Sequence, residues 1–240
     1  MKLIFVRHGD PDYENDSVTK TGMTESRLLK ERIEKLSPDE IFVSPLGRAK
    51  DTAKYALEGT GRKAEVLDIL EEFPAMVEDL ADNGGRLWDL MPSYWTKDER
   101  YYNEKEWFNT PLMSSGAVKQ TYDRLCNSFD EFLKEHGYER NGRMYKAVSP
   151  NKKTIVMFCH FGIESVYLSH LLGLAPHILW QGFCAAPTSL TTVVTEEREE
   201  GNAVFRCTSF GDISHLYANG QPPSRSARFC EVYSDFDERH

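Results

Sequence analysis

Residues 1–10 read MKLIFVRHGD. Leu3 to Val6 form an unbroken apolar run, as in a strand buried on both faces. Arg7, His8 and Gly9 follow at once: a cation, an imidazole and a flexible glycine. In open α/β sheets, chemistry sits just beyond the carboxyl ends of the strands. An imidazole there can act as a nucleophile, and an adjacent arginine can hold a phosphate through two parallel hydrogen bonds. The pairing points to phosphoryl transfer through a phosphohistidine.

The same layout recurs twice. Ile41 to Val43 is a short apolar run followed by SPLGRAKDTA, residues 44–53. Thr154 to Cys159 is another, followed by His160, Phe161 and Gly162. Three apolar strands far apart in sequence thus each deliver a basic group as they end. A strand-end histidine bonded to a loop is the plain alternative for His8, and a surface helix arginine is the plain alternative for Arg48. The repeated placement argues against both. For His160, a core histidine satisfied by one hydrogen bond stays open.

With RHG at 7–9, SPLGRAKDTA at 44–53 and CHFG at 159–162, in that order, the chain resembles the histidine phosphatase superfamily, also called the phosphoglycerate mutase-like family. Thr19 and Gly22 in VTKTGMTES, and FGDISHL at 210–216, are smaller matches, so the resemblance spans almost the whole chain. It implies His8 as nucleophile, Arg7 and Arg48 as phosphate clamps, and His160 as a second pocket histidine donating to a phosphate oxygen. It implies Glu72 as the general acid, since that glutamate follows an L-x-E pattern after the third strand and Leu70-Glu71-Glu72 fits. Glu71 then reads as a solvated partner. The run LEEFPAMVEDLADNGGRLWDL, residues 70–90, departs from the family pattern, so Glu78, Asp79 and Asp89 stand as alternative donors.

The 240 residues suffice for one α/β domain over 1–240, with an insertion at about 73–115. Hydrophobic content of 40% and aromatic content of 12% exclude a disordered chain. With 29 basic and 38 acidic side chains the net charge is −9, which argues against a nucleic-acid partner. The N-terminal apolar run is too short for a signal peptide, and no stretch approaches the roughly 20 apolar residues of a membrane span. The five cysteines are odd in number and lack a CxxC pattern, which speaks for a reducing cytoplasm over a zinc site or disulfide framework. Two arginines beside His8 and His160 would repel a metal ion. No cofactor is expected, and oligomeric state is not legible.

Expected elements are strands at about 2–6, 40–43, 64–67, 154–159, 189–195 and 203–208. Helices are expected at about 24–36, from Ser44-Pro45 to Leu57, at 117–134 and at 163–172. Residues 141–151 read as a loop, and the polar tail from Gly220 reads as peripheral. The alternation predicts a three-layer α/β/α sandwich with a mostly parallel central sheet. The insertion crowds Trp88, Tyr94, Trp95, Tyr101, Tyr102, Trp107 and Phe108 into one stretch. Most should pack structurally, with one or two reaching the substrate. His136, His170, His177, His215 and His240 read as structural or surface residues.

The leading functional reading is a metal-independent, histidine acid-type phosphomonoesterase acting on a small phosphate ester through a phosphohistidine on His8. The alternative is a mutase of the phosphoglycerate type, which must hold both substrate ends with extra cations. GDPDYENDSVTKTG, residues 9–22, is acidic, supplies only Lys20, and lacks the asparagine-tryptophan run of the phosphoglycerate mutases. A non-catalytic phosphoryl-binding module is a third reading, but pure binding needs no nucleophile.

Overall fold

The computed structural model describes residues 1–77 and 85–239. At its centre β1 (Lys2–Arg7) pairs in parallel with β8 (Thr154–Cys159), Leu3 opposite Ile155 and Arg7 opposite Cys159. The next strands outward, β4 (Glu40–Val43) and β5 (Glu65–Val66), are also parallel. On the other side of β1 the sheet turns antiparallel through β9 (Leu190–Glu199), β10 (Asn202–Asp212), β7 (Met144–Ala147) and β6 (Tyr138–Asn141). The order is β5-β4-β8-β1-β9-β10-β7-β6, and only β7 and β9 of the eight strands run against the rest.

Alternation along β1 divides the core in two. Ile4 and Val6 face a cluster with Leu29 and Ile33 of α1 (Lys20–Leu36) and Ala49 and Ala53 of α2 (Gly47–Ala56). Leu3 and Phe5 face a larger cluster with Phe129 of α4 (Val118–Glu135), Tyr167 of α5 (Phe161–Leu172) and Trp180 of α6 (Pro176–Gly182). The result is the expected α/β/α sandwich around a mostly parallel sheet. Trp107 and Tyr101 of the insertion are buried in the larger cluster, with Trp88, Trp95 and Phe108 packed partly against it. Tyr94 and Tyr102 are exposed.

Several boundaries differ from expectation. Helix α1 starts at Lys20 because Thr19 caps it, its hydroxyl accepting the Gly22 amide at 3.1 Å. Helix α2 starts at Gly47, with Leu46 rather than Ser44 at the cap position; Ser44 is engaged elsewhere. Strand β5 keeps only Glu65 and Val66. The expected loop at 141–151 is largely a hairpin: β6 and β7 meet at a turn where Gly142 takes φ 64°. Its buried anchors are Tyr138 and Tyr145, and the polar residues between them lie on a sheet edge. Strands β9 and β10 extend further than their β-branched centres through a turn with Gly201 at φ 75°.

The tail is not peripheral. It carries a hairpin of β11 (Cys230–Val232) and β12 (Asp235–Arg239). Ahead of that hairpin, the Ser224 amide donates to Glu25 Oε1 at 3.0 Å and Ser226 Oγ donates to Asp10 Oδ1 at 2.8 Å. Asp10 lies two residues after His8, so the tail is pinned to the loop leaving β1. A small hairpin of β2 (Pro11–Asp12) and β3 (Ser17–Val18) lies on that loop. The short helices α3 (Pro92–Trp95) and α7 (Ser214–Tyr217) complete the elements. No described helix is long and apolar enough to cross a membrane.

Candidate active site

Because β1, β4 and β8 run in register and in parallel, their ends deliver side chains to one edge of the sheet. His8 follows β1, and its amide donates to the Cys159 carbonyl at 3.0 Å. Arg48 sits in the first turn of α2, after β4. His160 follows β8 and occupies the cap position of α5. Arg7, His8, Arg48 and Glu72 line one cavity of about 290 Å³, together with Tyr13, Arg86, Trp88 and Phe161. Glu71 lines it too, as an exposed residue. His160 is not in the wall. It is fully buried behind His8, with ring centroids 5.1 Å apart.

His8 is almost fully buried, and its Nδ1 lies 2.8 Å from the Gly9 carbonyl. That carbonyl can only accept, so Nδ1 carries the proton and Nε2 keeps its lone pair. Burial first, and then the Arg7 and Arg48 charges, push the His8 pKa well below the ordinary histidine value. The ring is therefore neutral.

His160 is held by Ser44: Nε2 and the serine Oγ are 2.8 Å apart. Ser44 Oγ also accepts the Leu46 amide at 3.3 Å. His160 Nδ1 is buried and has no partner. Burial, His8 and the two arginines drive its pKa well down. These shifts favour a neutral His160 ring.

Arg7 is buried; its Nη1 donates to the Ala185 carbonyl, while Nε has no partner. Arg48 Nη1 donates to Asp16 Oδ1 at 2.6 Å, and the other Asp16 oxygen accepts the Gly47 amide at 2.6 Å. Asp16 therefore aims the guanidinium and caps α2 at the same time. Gly47 is required there, because a Cβ would lie 2.1 Å from the Asp16 carbonyl oxygen.

Glu72 is half-buried against the first turn of α5. Its Oε1 accepts the Ile163 amide at 2.9 Å and the Phe73 amide at 2.8 Å, and Oε2 accepts Gly162 at 3.3 Å. Burial raises its pKa, outweighing the amides and the Arg48 charge that lower it. Of the alternative donors, Asp89 is exposed and lines a neighbouring cavity rather than this one. Glu78 and Asp79 lie outside the described residues, as does His240.

Sequence reasoning missed three contributors. Ser44 was legible only as a helix cap. Asp16 meets Arg48 across a hairpin and leaves no local pattern. Glu164 is a lone acid in the apolar run FGIESVYLSHLL, which is itself a signal. It is buried, one oxygen has no partner, and burial lifts its pKa to about 7 against the Arg7 charge. Among the histidines read as structural, His215 holds Thr188 Oγ1 at 2.9 Å, and the Thr188 amide reaches the carbonyls of Arg7 and His8 at 3.1 and 3.2 Å.

The chain matches a known family over most of its length: residues 3–207 fit the model of the histidine phosphatase superfamily, branch 1. The chain belongs to that superfamily. A Schizosaccharomyces pombe protein named as a probable phosphatase is 23% identical over 233 residues, covering 90% of this chain and 95% of that one. The fold is shared with phosphoserine phosphatase from Entamoeba histolytica, solved with phosphoserine: TM-score 0.60, 20% identity, 90% of this chain and 98% of that one. It is shared also with a mycobacterial glucosyl-3-phosphoglycerate phosphatase, at TM-score 0.56, 18% identity, 88% of this chain and 98% of that one. Both the superfamily and the names of these relatives point to a phosphatase.

Proposed function

We propose that this chain is a phosphomonoesterase that works without a metal, through a phosphohistidine on His8. The observation that carries the reading is the His8 Nδ1 contact to the Gly9 carbonyl inside a cavity walled by Arg7 and Arg48. A neutral imidazole with one nitrogen tied down presents the other for in-line attack. Two guanidiniums supply the positive charge that a metal gives in other phosphoryl-transfer sites.

In this mechanism His8 Nε2 attacks phosphorus and the P–O bond to the leaving group breaks. Protonated Glu72 gives its proton to the departing oxygen, which leaves as an alcohol. The Glu72 carboxylate then takes a proton from a water that attacks the phosphohistidine. The P–N bond breaks, inorganic phosphate leaves, and His8 is neutral again. The raised Glu72 pKa favours the first of these roles, and the α5 amides favour the second by stabilising the carboxylate. Because His160 lies behind His8 and not in the cavity wall, the role assigned to it is to back the nucleophile: Ser44 donating to Nε2 leaves its proton on Nδ1.

The relatives named for phosphoserine and glucosyl-3-phosphoglycerate support a small phosphate ester as the substrate class. The net charge of −9 speaks against a nucleic-acid partner. Free thiols at all five cysteines suit a reducing cytoplasm.

The test is release of inorganic phosphate from sugar phosphates, nucleotides, aryl phosphates and phosphopeptides, with and without a chelator. Hydrolysis of at least one class, unchanged by the chelator, is expected. Chelator-sensitive activity, or an isomerised ester in place of free phosphate, would contradict the reading.

A further inference from the structure

A larger cavity of about 560 Å³ neighbours the His8 cavity. Arg7, Tyr13, Arg86, Trp88 and Phe161 line both, which sets the larger cavity beside the phosphate site. Besides α6 and the residues that follow it, Trp180 to Ala185, two further segments wall the larger cavity. One is the insertion, with Trp88 and Trp95. The other is the C-terminal tail, with Phe229, Arg228 and Arg239.

The charge in this cavity is inverted relative to the molecule. The chain has 38 acidic and 29 basic side chains, yet among the described residues Arg7, Arg86, Arg228 and Arg239 line the cavity against one carboxylate, Asp89. Arg228 and Arg239 are clasped together: each guanidinium donates to the other's backbone carbonyl, that of Arg239 at 3.3 Å. Arg228 also reaches the Pro223 carbonyl at 3.4 Å. Among the side chains the structure describes, neither has an ion-pair partner, and the Nε of each is buried without a hydrogen-bond partner there. Guanidiniums held only by neutral acceptors keep their full charge, which favours an anion placed beside them. The aromatic wall differs in kind. Trp88, Trp95, Phe161 and Phe229 offer ring faces and edges, and Trp95 Nε1 is a buried donor with no acceptor.

We propose that this cavity holds the leaving group of the substrate, and that the leaving group is a flat or apolar body bearing a second anionic group, which Arg228 and Arg239 of the C-terminal tail bind. The inference rests on the phosphomonoesterase reading of the His8 cavity. The tail is suited to the task because Ser226 ties it to Asp10 on the loop that carries His8. The distance between the phosphate site and the second anion site is thereby fixed by the fold.

The test compares para-carboxyphenyl phosphate and para-(carboxyethyl)phenyl phosphate with their neutral carboxamides, on the full chain. Each pair differs by one charge far from phosphorus. For at least one pair the carboxylate is expected to be favoured by about tenfold in kcat/KM, the scale of one charge-assisted hydrogen bond. Arg228→Gln and Arg239→Gln, made singly, should each bring that ratio down toward unity. The ratio is taken within each variant, so a tail that shifts and slows both esters alike does not imitate the result. A wild-type ratio near one for both pairs would overturn the proposal. So would a high ratio that neither substitution moves. If none of these aryl esters is cleaved, the phosphomonoesterase reading is decided by the wider panel of phosphate esters. The same four esters and the same variants are then compared by calorimetric affinity, with the same two outcomes deciding the anion site.

Discussion

At the scale of single residues, the site is proposed to work by giving buried His8 and half-buried Glu72 opposite pKa shifts. His8 is pushed well below the usual histidine range by burial and two arginines. Burial raises the Glu72 pKa. The first shift favours a neutral nucleophile and the second favours a protonated acid. The sign follows directly. Falling pH does not protonate His8 until well under 6.5, whereas rising pH removes the Glu72 proton once its raised pKa is passed. kcat/KM for an alkyl phosphate should therefore decline with rising pH across that step. Glu72→Gln should cut alkyl ester hydrolysis by roughly 10²-fold or more, the common scale of lost acid–base catalysis. It should also abolish the alkaline decline, and it should cost activated aryl phosphates far less. Steady-state rates across a leaving-group series and a pH series check this. An equal loss across the series would make Glu72 a helix cap and nothing more.

At the scale of elements, the first turn of α5 joins the two halves of the site. His160 caps it, Glu72 accepts its amides, and Trp88 lies over it. Only glycine fits at 162: a Cβ would stand 2.6 Å from Glu72 Oε1 and 2.8 Å from the Trp88 ring. Gly162→Ala should push Glu72 and Trp88 outward, with a destabilisation of about 1–3 kcal/mol, as for other overpacked sites. Alkyl phosphate hydrolysis should fall more than aryl phosphate hydrolysis. Thermal unfolding together with the two rates checks this, and an unaltered alkyl-to-aryl ratio would separate Glu72 placement from the acid step. The glycine of CHFG at 159–162 is thus a packing requirement as much as part of a motif. By contrast, β6 and β7 were hidden in a polar stretch, because an edge hairpin needs only Tyr138 and Tyr145 to anchor it.

At the scale of the whole molecule, what the sequence revealed was the part written in short contiguous signals. Three apolar strands, each ending in a basic group, were enough to place Arg7, His8 and Arg48 on one edge of the sheet, with His160 close behind. What it hid depends on contacts between distant segments. Asp16 reaches Arg48, Ser44 reaches His160, and Ser226 reaches Asp10 across 216 positions of chain. The tail looked peripheral because its composition is polar, yet polar residues are what a charged cavity wall requires.

The most direct test of covalent catalysis is a rapid quench of the full-length protein with a radiolabelled, readily cleaved phosphate ester, followed by mapping of the labelled peptide. Label that is acid-labile and base-stable, carried on His8 and absent from His8→Ala with its turnover, is the expected result. A fully active His8→Ala, or turnover by the wild type with no label on His8 at any quench time, would contradict it.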